Sequence, residues 1–451
     1  MWDCFHPQHD IEAIFCLSQF SYSSKPACGK AVRPNAGVAL VRLGKADLVW
    51  DLLKQSTDPR VRSYLIHRFR RLGADAGAIV KRLDQETDVT IRRALILSLG
   101  EYGEKDLSAD ARKALLVKLQ GIYGMEADPG LHAATEWLLR TWKQEAWLRK
   151  INGEWTKGKE QSERKIKLAK EKTKTPPQWY VNSQGQTMVV IPAMETFFLM
   201  GSPVTEKGRL EYERQHKKKI SRTFAIAAKS VTVEHFREFQ KGYQPPENYS
   251  CIADLPAVGI NWFEAAAYCN WLSEQDGIDT TQWCYETEPA GKTGPNSKVV
   301  KLKANYLRLE GYRLPTETEM EYATRAGAVT SRYFGETEEL IPKYAWYSKN
   351  SKGQTWPVGS LKPNDLGFFD TQGNVYTWCQ ERYKEYPTGK GDDVIEDNED
   401  DELAISGASR VLRGGWFAYP ASLVRCAFRN DGAPTIRYNY VGFRVARTLT
   451  P

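Results

Sequence analysis

Cysteine and histidine are the residue types with which this chain could bind a transition metal or carry out thiol chemistry. Its eight cysteines are scattered, at positions 4, 16, 28, 251, 269, 284, 379 and 426, and none forms a CxxC pair. Among its six histidines, only His6 and His9 lie close together in sequence. An iron site with two histidines and one carboxylate remains an alternative, because folding can bring distant residues together. The spacing of the histidines does not indicate such a site. The scattered cysteines favour reduced thiols and a cytoplasmic location.

The segment from 410 to 447 indicates a different chemistry, that of ligand recognition. Its ends, Arg413-Gly414-Gly415 and Gly442-Phe443-Arg444, are typical of structural strands, while its middle mixes aromatic and polar side chains without a regular period. Rigid rings provide contact area at low entropic cost, and small polar groups adapt their hydrogen bonds. The predicted ligand-binding residues are Trp416, Phe417, Tyr419, Ser422, Leu423, Phe428, Asn430, Asp431, Arg437, Tyr438, Asn439 and Tyr440. The alternative interpretation is that some of these aromatic residues are buried in the core of the domain.

The net charge of +7 arises partly from local blocks of charge. Lysines dominate residues 143–178, but the interleaved glutamates and the closing Pro176-Pro177 predict an exposed helix that runs into a linker, not a nucleic-acid site. The acidic block at 392–402 lacks EF-hand spacing and predicts a solvated insertion. No apolar run approaches the roughly 20 residues of a membrane span. The first residues lack the basic start of a signal peptide.

The first third of the chain predicts helices that repeat. Residues 58–73 and 88–103 carry similar apolar patterns 30 residues apart. Asp58-Pro59 and Asp128-Pro129 each place a capping aspartate before a proline that can begin a helix. This pattern resembles HEAT repeats and predicts an all-α domain at 31–142, with residues 1–30 unassigned and a plain helical bundle as the alternative. A stack of such repeats would offer a concave face to a protein partner.

From residue 179 to 451 the pattern changes to short strands, aromatic residues and turns. Residues 187–202 alternate enough for a pair of strands, and amphipathic helices are predicted over 232–243 and 261–277. Helices near the start of a strand-rich region predict an α+β fold for this domain.

This region resembles the formylglycine-generating, or sulfatase-modifying-factor, family. The likeness rests on motifs in the order of that family, at residues 188–202, 255–274, 311–327, 364–378 and in the two ends of the 410–447 segment. It implies a C-type-lectin-like domain. Met320 stands where the family usually has tryptophan, and this does not disturb the likeness in fold.

Enzymes of that family oxidise a substrate cysteine to formylglycine with copper held by two thiolates. The resemblance places those ligands at Tyr419 and Val424, and neither residue can replace a thiolate. Cys426 is the only sulfur in the segment and is predicted to be a buried free cysteine. The sequence therefore favours neither a copper site nor a catalytic residue in this segment, and it does not favour an enzyme.

The family also implies a weaker metal hypothesis, a structural calcium near the motif at 373–378. Thr377 stands where the family has an acidic ligand, and the remaining candidates are Asn364, Asp370 and Asn374. Turn and cap roles explain these residues equally well.

The 413–444 region is also similar to variable regions of diversity-generating retroelement proteins, whose residues between Arg-Gly-Gly and Gly-Phe-Arg are diversified for ligand binding. The sequence as a whole predicts a noncatalytic recognition protein that binds a protein or peptide through 416–440. The alternative is a metal-dependent oxidoreductase of the formylglycine-generating and nonheme-iron superfamily.

Overall fold

The structure is a computed structural model that divides into two compact units, with the division between Gln120 and Gly121. It describes residues 29–43, 45–157, 178–246, 252–288, 291–295, 298–386, 393–398 and 407–449. The His6–His9 pair, Cys4, Cys16, Cys28 and Cys251 lie outside the described residues. So do the end of the lysine-rich segment, 158–177, and residues 392 and 399–402 of the acidic block.

The first unit is helical, as predicted, and its assignment to HEAT repeats stays a prediction. Its helices are α1 (Gly29–Arg42), α2 (Arg60–Arg68), α3 (Ala76–Gln85), α4 (Val89–Leu99) and α5 (Ala109–Met125), the last of which crosses the division. Aspartates cap two of them, because Asp75 accepts from the amide of Ala78 and Asp88 accepts from the amide of Thr90. Pro59, not Asp58, is the residue before α2, and Asp58 Oδ1 accepts from the Arg60 amide at 3.2 Å.

Two further helices, α6 (Pro129–Thr141) and α7 (Glu145–Lys157), belong to the second unit. The sequence placed them in the repeats and in the linker. Asp128 caps α6 as predicted, with its Oδ1 2.7 Å from the Leu131 amide nitrogen. The rings of His132 and Trp179 stack with centroids 3.8 Å apart, which packs α6 against the first strand of the sheet-rich part.

The remainder of the second unit is an α+β domain, which confirms the predicted fold class. Its helices are α8 (Val233–Phe239), α9 (Trp262–Gln275), α10 (Glu317–Arg325) and α11 (Ile341–Tyr344). Its strands are β1 (Trp179–Val181), β2 (Thr187–Ile191), β3 (Phe198–Met200), β4 (His216–Lys219), β5 (Phe224–Ala227), β6 (Tyr285–Glu288), β7 (Lys298–Leu302), β8 (Tyr312–Arg313), β9 (Tyr376–Arg382), β10 (Val394–Glu396), β11 (Arg410–Arg413), β12 (Arg429–Gly432), β13 (Val441–Gly442) and β14 (Ala446–Thr448).

These strands form three sheets and a hairpin. The largest sheet has the order β1-β2-β5-β14-β8, so the last strand of the chain pairs with strands from the start and middle of the domain. A second sheet has the order β12-β11-β9-β13, a third has β10-β4-β3, and β6 pairs with β7. The strand pair predicted at 187–202 appears as β2 and β3, and the two predicted helices appear as α8 and α9.

The main core lies between α9 and the first two sheets. Trp262 and Tyr268 on α9 are fully buried there, as are Trp378 on β9 and Phe443 after β13. Among the described residues, no helix combines the length and apolar character needed to span a membrane.

The acidic block at 392–402 is not the fully solvated insertion that its composition predicted. Its described residues form β10, which runs parallel to β4. Asp397 is buried, where its Oδ2 accepts from the Thr316 hydroxyl at 2.8 Å and also pairs with Arg222. A carboxylate can be buried in this way because a cation and a hydroxyl compensate for the lost water.

Candidate functional site

The predicted recognition segment begins where β11 leaves the four-stranded sheet. Gly414 and Gly415 follow Arg413 with φ angles of 93° and 73°, a conformation that favours glycine. A Cβ at Gly414 would lie 2.8 Å from the carbonyl oxygen of Thr371, so the turn has no room for a side chain. This turn directs the chain from the buried sheet to the surface at Trp416.

Buried ion pairs hold the two strands that flank the segment. The guanidinium of Arg429 on β12 donates to both oxygens of Glu317, at 2.7 and 2.8 Å. Arg413 on β11 contacts Glu317 at 3.4 Å and Glu321 at 2.5 Å, and donates to the carbonyl of Cys426 at 2.7 Å. Because both arginines are buried, these pairs fix the backbone on each side of the segment.

Four half-buried rings form the centre of the surface, which we call the aromatic surface: Trp416, Tyr419, Tyr438 and Tyr440. The ring centroids of Trp416 and Tyr440 lie 4.5 Å apart, and those of Tyr438 and Tyr440 lie 5.4 Å apart. Tyr419 stands at 70° to Trp416 with centroids 5.7 Å apart, so the two rings form a corner. All four pack on the main core, which keeps them rigid while one side of each stays accessible.

Buried residues form the floor of the aromatic surface. The hydroxyl oxygens of Tyr376 and Tyr419 lie 3.0 Å apart, and the Asn430 amide donates to Tyr376 at 3.1 Å. Burial raises the pKa of the Tyr376 phenol, which therefore stays neutral. Phe428 packs edge-on against Tyr419, with centroids 5.6 Å apart.

Polar side chains lie at the edge of the segment. Asp431, Arg437 and Asn439 are exposed, and the Arg437 guanidinium donates to both oxygens of Glu264 at 3.0 and 2.7 Å. Asp431 and Asn439 are available for hydrogen bonds with a ligand, whereas Arg437 is held by Glu264.

The structure brings most of the twelve predicted residues together, including Leu423, which is half-buried and packs on the core like the four rings. There are three exceptions. Phe417 and Phe428 are 4% and 3% exposed and pack against Trp416 and Tyr419, so they support the surface from below. Ser422 instead lines a separate cavity of about 320 Å³ beside Arg332. These residues are correspondingly less suited to direct contact with a ligand.

Sequence reasoning missed one contributor to this surface. Tyr376 comes from β9, about 40 residues before the segment, and could have been found as the ring in the motif at 373–378.

The positions of the family's copper ligands do not fit that metal. Tyr419 holds a hydrogen bond with Tyr376, and Val424 is fully buried. Cys426 is 2% exposed, and its sulfur lies 3.4 Å from the Gln372 amide nitrogen. Burial raises the pKa of the Cys426 thiol to about 12, so it stays protonated. Among the described residues, no three His, Cys, Asp or Glu side chains cluster as metal ligands.

Cys426 is therefore expected to resist alkylation in the folded protein. Iodoacetamide at mildly alkaline pH should leave its peptide unmodified, whereas the same treatment in urea should modify it fully, as read by mass spectrometry. A Ser422→Cys variant is the matched control, because Ser422 is exposed and should be alkylated without urea. Equal labelling of Cys426 and the control in the folded protein would contradict the burial of this thiol.

Hydrogen bonds within the protein already involve each of the three calcium candidates. Asn364 Oδ1 accepts from the amide of Phe368 at 3.0 Å, and Asn374 Oδ1 accepts from that of Trp356 at 3.0 Å. One oxygen of Asp370 accepts from the Gly359 amide at 2.8 Å, and burial raises the pKa of this carboxyl. A calcium site at these residues stays a prediction.

Comparison with known proteins gives a consistent result. The family model of the sulfatase-modifying factor enzyme 1-like domain matches residues 172–449. The formylglycine-generating enzyme of Streptomyces coelicolor is 34% identical over 177 residues, which cover 34% of this chain and 53% of that enzyme. The serine/threonine-protein kinase pkn1 of Chlamydia pneumoniae is 28% identical over 201 residues, 44% of this chain and 25% of the kinase.

Among solved structures, Treponema denticola variable protein 1 is similar with a TM-score of 0.47 and 27% identity, over 58% of this chain and 95% of that one. The chain matches about half the length of the Streptomyces enzyme. The family model, in contrast, spans well over half of this chain and includes β1 to β14. The chain therefore belongs to the family of proteins with a sulfatase-modifying factor enzyme 1-like domain.

Proposed function

We propose that this chain is a noncatalytic recognition protein that binds a protein or peptide through the aromatic surface. One observation carries the proposal: where the family resemblance places two copper thiolates, this chain has the phenol of Tyr419, which is part of a ring cluster, and the buried Val424. Rings and amides at this place can bind a ligand but cannot supply thiolate chemistry.

The physical properties of the surface support recognition. Binding costs less when the contact groups are already fixed, and these rings are held by the core and by the buried pairs of Arg413 and Arg429. Tryptophan and tyrosine also supply much of the binding energy in protein interfaces, particularly near their centre. The exposed Asp431 and Asn439 would form the polar rim around them.

The distribution of burial also supports the hypothesis that the segment tolerates diversification. Its ends are part of the interior: Phe443 is in the core, and the Arg444 guanidinium donates to the carbonyl of Ala228 at 2.7 Å. Asp431, Arg437 and Asn439, in contrast, project to solvent and could change without disturbing the ends. A variable ligand-binding region needs this combination of fixed ends and replaceable middle.

The proposal has two further parts. The helical first unit would bind a protein partner through the concave face that a stack of repeats offers. The cytoplasmic location is supported by Cys269, Cys379 and Cys426, which are buried free thiols.

Selection from a displayed library of random peptides on the immobilised full chain tests the function. Enriched peptides should bind the purified protein. The Trp416→Ala substitution should weaken their binding by at least about tenfold, because it removes the central ring. Ile252→Ala is the matched control, since Ile252 is an apolar side chain exposed outside the aromatic surface. Failure to enrich any peptide, or peptides equally sensitive to both variants, would sink the proposal.

The second candidate function, a metal-dependent oxidoreductase, is favoured by the 34% identity to a formylglycine-generating enzyme. It is tested by metal analysis of the purified protein together with an oxidation assay on a cysteine-containing peptide. Stoichiometric copper or iron and an aldehyde product would establish the enzyme and overturn the recognition proposal.

A further inference from the structure

The four rings of the aromatic surface carry two polar groups that the protein itself does not use. The hydroxyls of Tyr419 and Tyr438 already form hydrogen bonds inside the protein. Among the described residues, the indole nitrogen of Trp416 and the hydroxyl of Tyr440 have no hydrogen-bond partner, and both atoms reach solvent. A ligand can therefore accept one hydrogen bond from each of these two groups.

The main chain of the same four residues offers few acceptors to a ligand. The carbonyl oxygens of Trp416, Tyr419, Tyr438 and Tyr440 each accept from a backbone amide of the protein, at 2.9–3.1 Å. A peptide that added a β-strand here would bring its own N–H groups to carbonyls that are already occupied, and a buried donor without a partner is costly. The surface is therefore poorly suited to strand addition.

The rings form a row with the dimensions of a short extended segment. In the order Tyr438, Tyr440, Trp416 and Tyr419, successive centroids lie 5.4, 4.5 and 5.7 Å apart. Adjoining ring planes are inclined by 40°, 37° and 70°, so the row is corrugated and not flat. A polyproline II helix rises about 3.1 Å per residue with three residues per turn, so about one to two turns match this row.

Proline is the residue whose peptides match such a surface. It lacks a backbone N–H, so a proline-rich segment brings carbonyl acceptors without the donors that this surface cannot pair. A polyproline II helix makes no internal hydrogen bonds, so its carbonyls are available to the donors of Trp416 and Tyr440. An α-helical ligand, in contrast, uses its carbonyls within the helix and would leave both donors unpaired.

Given the recognition function proposed above, on which this step rests, we infer that the aromatic surface binds a proline-rich segment in the polyproline II conformation. The proline rings pack on the four aromatic rings. Two ligand carbonyls accept from Trp416 Nε1 and from the Tyr440 hydroxyl. Both partners are ordered before they meet, which lowers the entropic cost of binding.

Fluorescence anisotropy of two labelled peptides, titrated with the full chain, tests this inference. The first peptide is decaproline, which forms a polyproline II helix in water, and the second is a Gly-Ser repeat of the same length. Decaproline should bind with a Kd below about 1 mM. The Gly-Ser peptide should bind at least about tenfold more weakly, because it has no rings to bury and loses more conformational freedom.

Two variants remove the donors while they keep an aromatic ring. Trp416→Phe and Tyr440→Phe should each weaken decaproline by about two- to tenfold, which is the effect of one lost hydrogen bond. Tyr322→Phe is the matched control, because Tyr322 is a half-buried tyrosine that packs on Phe198 outside the aromatic surface. This control should leave the Kd of decaproline unchanged.

The recognition function and the ligand class fail in different ways. If the random library yields no peptide that depends on Trp416, both are wrong. If it yields such peptides but they carry no excess of proline, recognition stands and the proline-rich ligand is overturned. Decaproline that binds no more tightly than the Gly-Ser peptide, or that is indifferent to both Trp416→Phe and Tyr440→Phe, would overturn the proline-rich ligand as well.

Discussion

Replacing Glu317 with alanine is expected to lower the free energy of unfolding of the second unit by about 3–5 kcal/mol. Glu317 is 7% exposed and accepts from Arg429 through both oxygens, while Tyr386 donates to it at 2.9 Å. Removal of this carboxylate leaves the buried guanidinium of Arg429 without an anion among the described residues, because its other neighbours there are the Lys384 carbonyl and the rings of Tyr383 and Tyr386. The uncompensated buried charge of Arg429 therefore lowers the stability by more than the ion pair had contributed to it. Urea denaturation followed by tryptophan fluorescence measures the change.

The control for this prediction is Glu286→Ala. Glu286 pairs with Lys301 at 3.1 Å, but the two side chains are 41% and 49% exposed, so the loss should be about 0–1 kcal/mol. Glu317→Ala should also weaken peptide binding, since Arg429 begins the strand that carries Asn430 and Asp431. Equal stabilities of the two variants would contradict the role assigned to this ion pair.

The elements that carry the fold were predictable because their signals are local. Asn261 precedes the apolar face of α9 and Glu264 follows three residues later, which is a capping box, and the structure shows both of its hydrogen bonds. The alternation in 187–202 gave two strands for the same reason. Local patterns suffice where a helix or strand buries one regular face.

The ion-pair network could not be predicted, because charged residues in a sequence are usually read as surface. Glu317 and Arg429 are more than a hundred residues apart, and only the folded chain brings them together. Asp397 was assigned to solvent in the same way. Burial of these groups depends on partners that the sequence does not place.

The composition of the recognition segment was predictable, but the role of each ring was not. Trp416 and Phe417 are neighbours with similar chemistry, yet one is half-buried and the other almost fully buried. A loop has no period from which an inward or outward direction can be deduced. The lysine-rich composition around α7 concealed the buried Leu148 and Trp155 in a similar way.

Replacing Gly373 with alanine is the second change with a large expected effect, a loss of about 2–5 kcal/mol. Gly373 has a φ of 74°, and its amide donates to the carbonyl of Gly414 at 2.8 Å. A Cβ there would lie 2.2 Å from the carbonyl oxygen of Trp346, which already accepts from the Asn374 amide at 2.9 Å. Neither backbone can move without breaking a hydrogen bond, so the strain has no easy relief.

Gly353→Ala is a matched control that separates the steric clash from the backbone conformation. Gly353 has a φ of 72°, nearly the same as Gly373, but a Cβ would meet nothing within 4 Å. Its alanine variant should lose only the conformational cost of about 1–2 kcal/mol. Because Gly373 contacts the turn at Gly414, its variant should also weaken peptide binding, whereas the control should not. Similar losses of stability in the two variants would show that the contact with Trp346 relaxes, and that this turn does not fix the base of the aromatic surface.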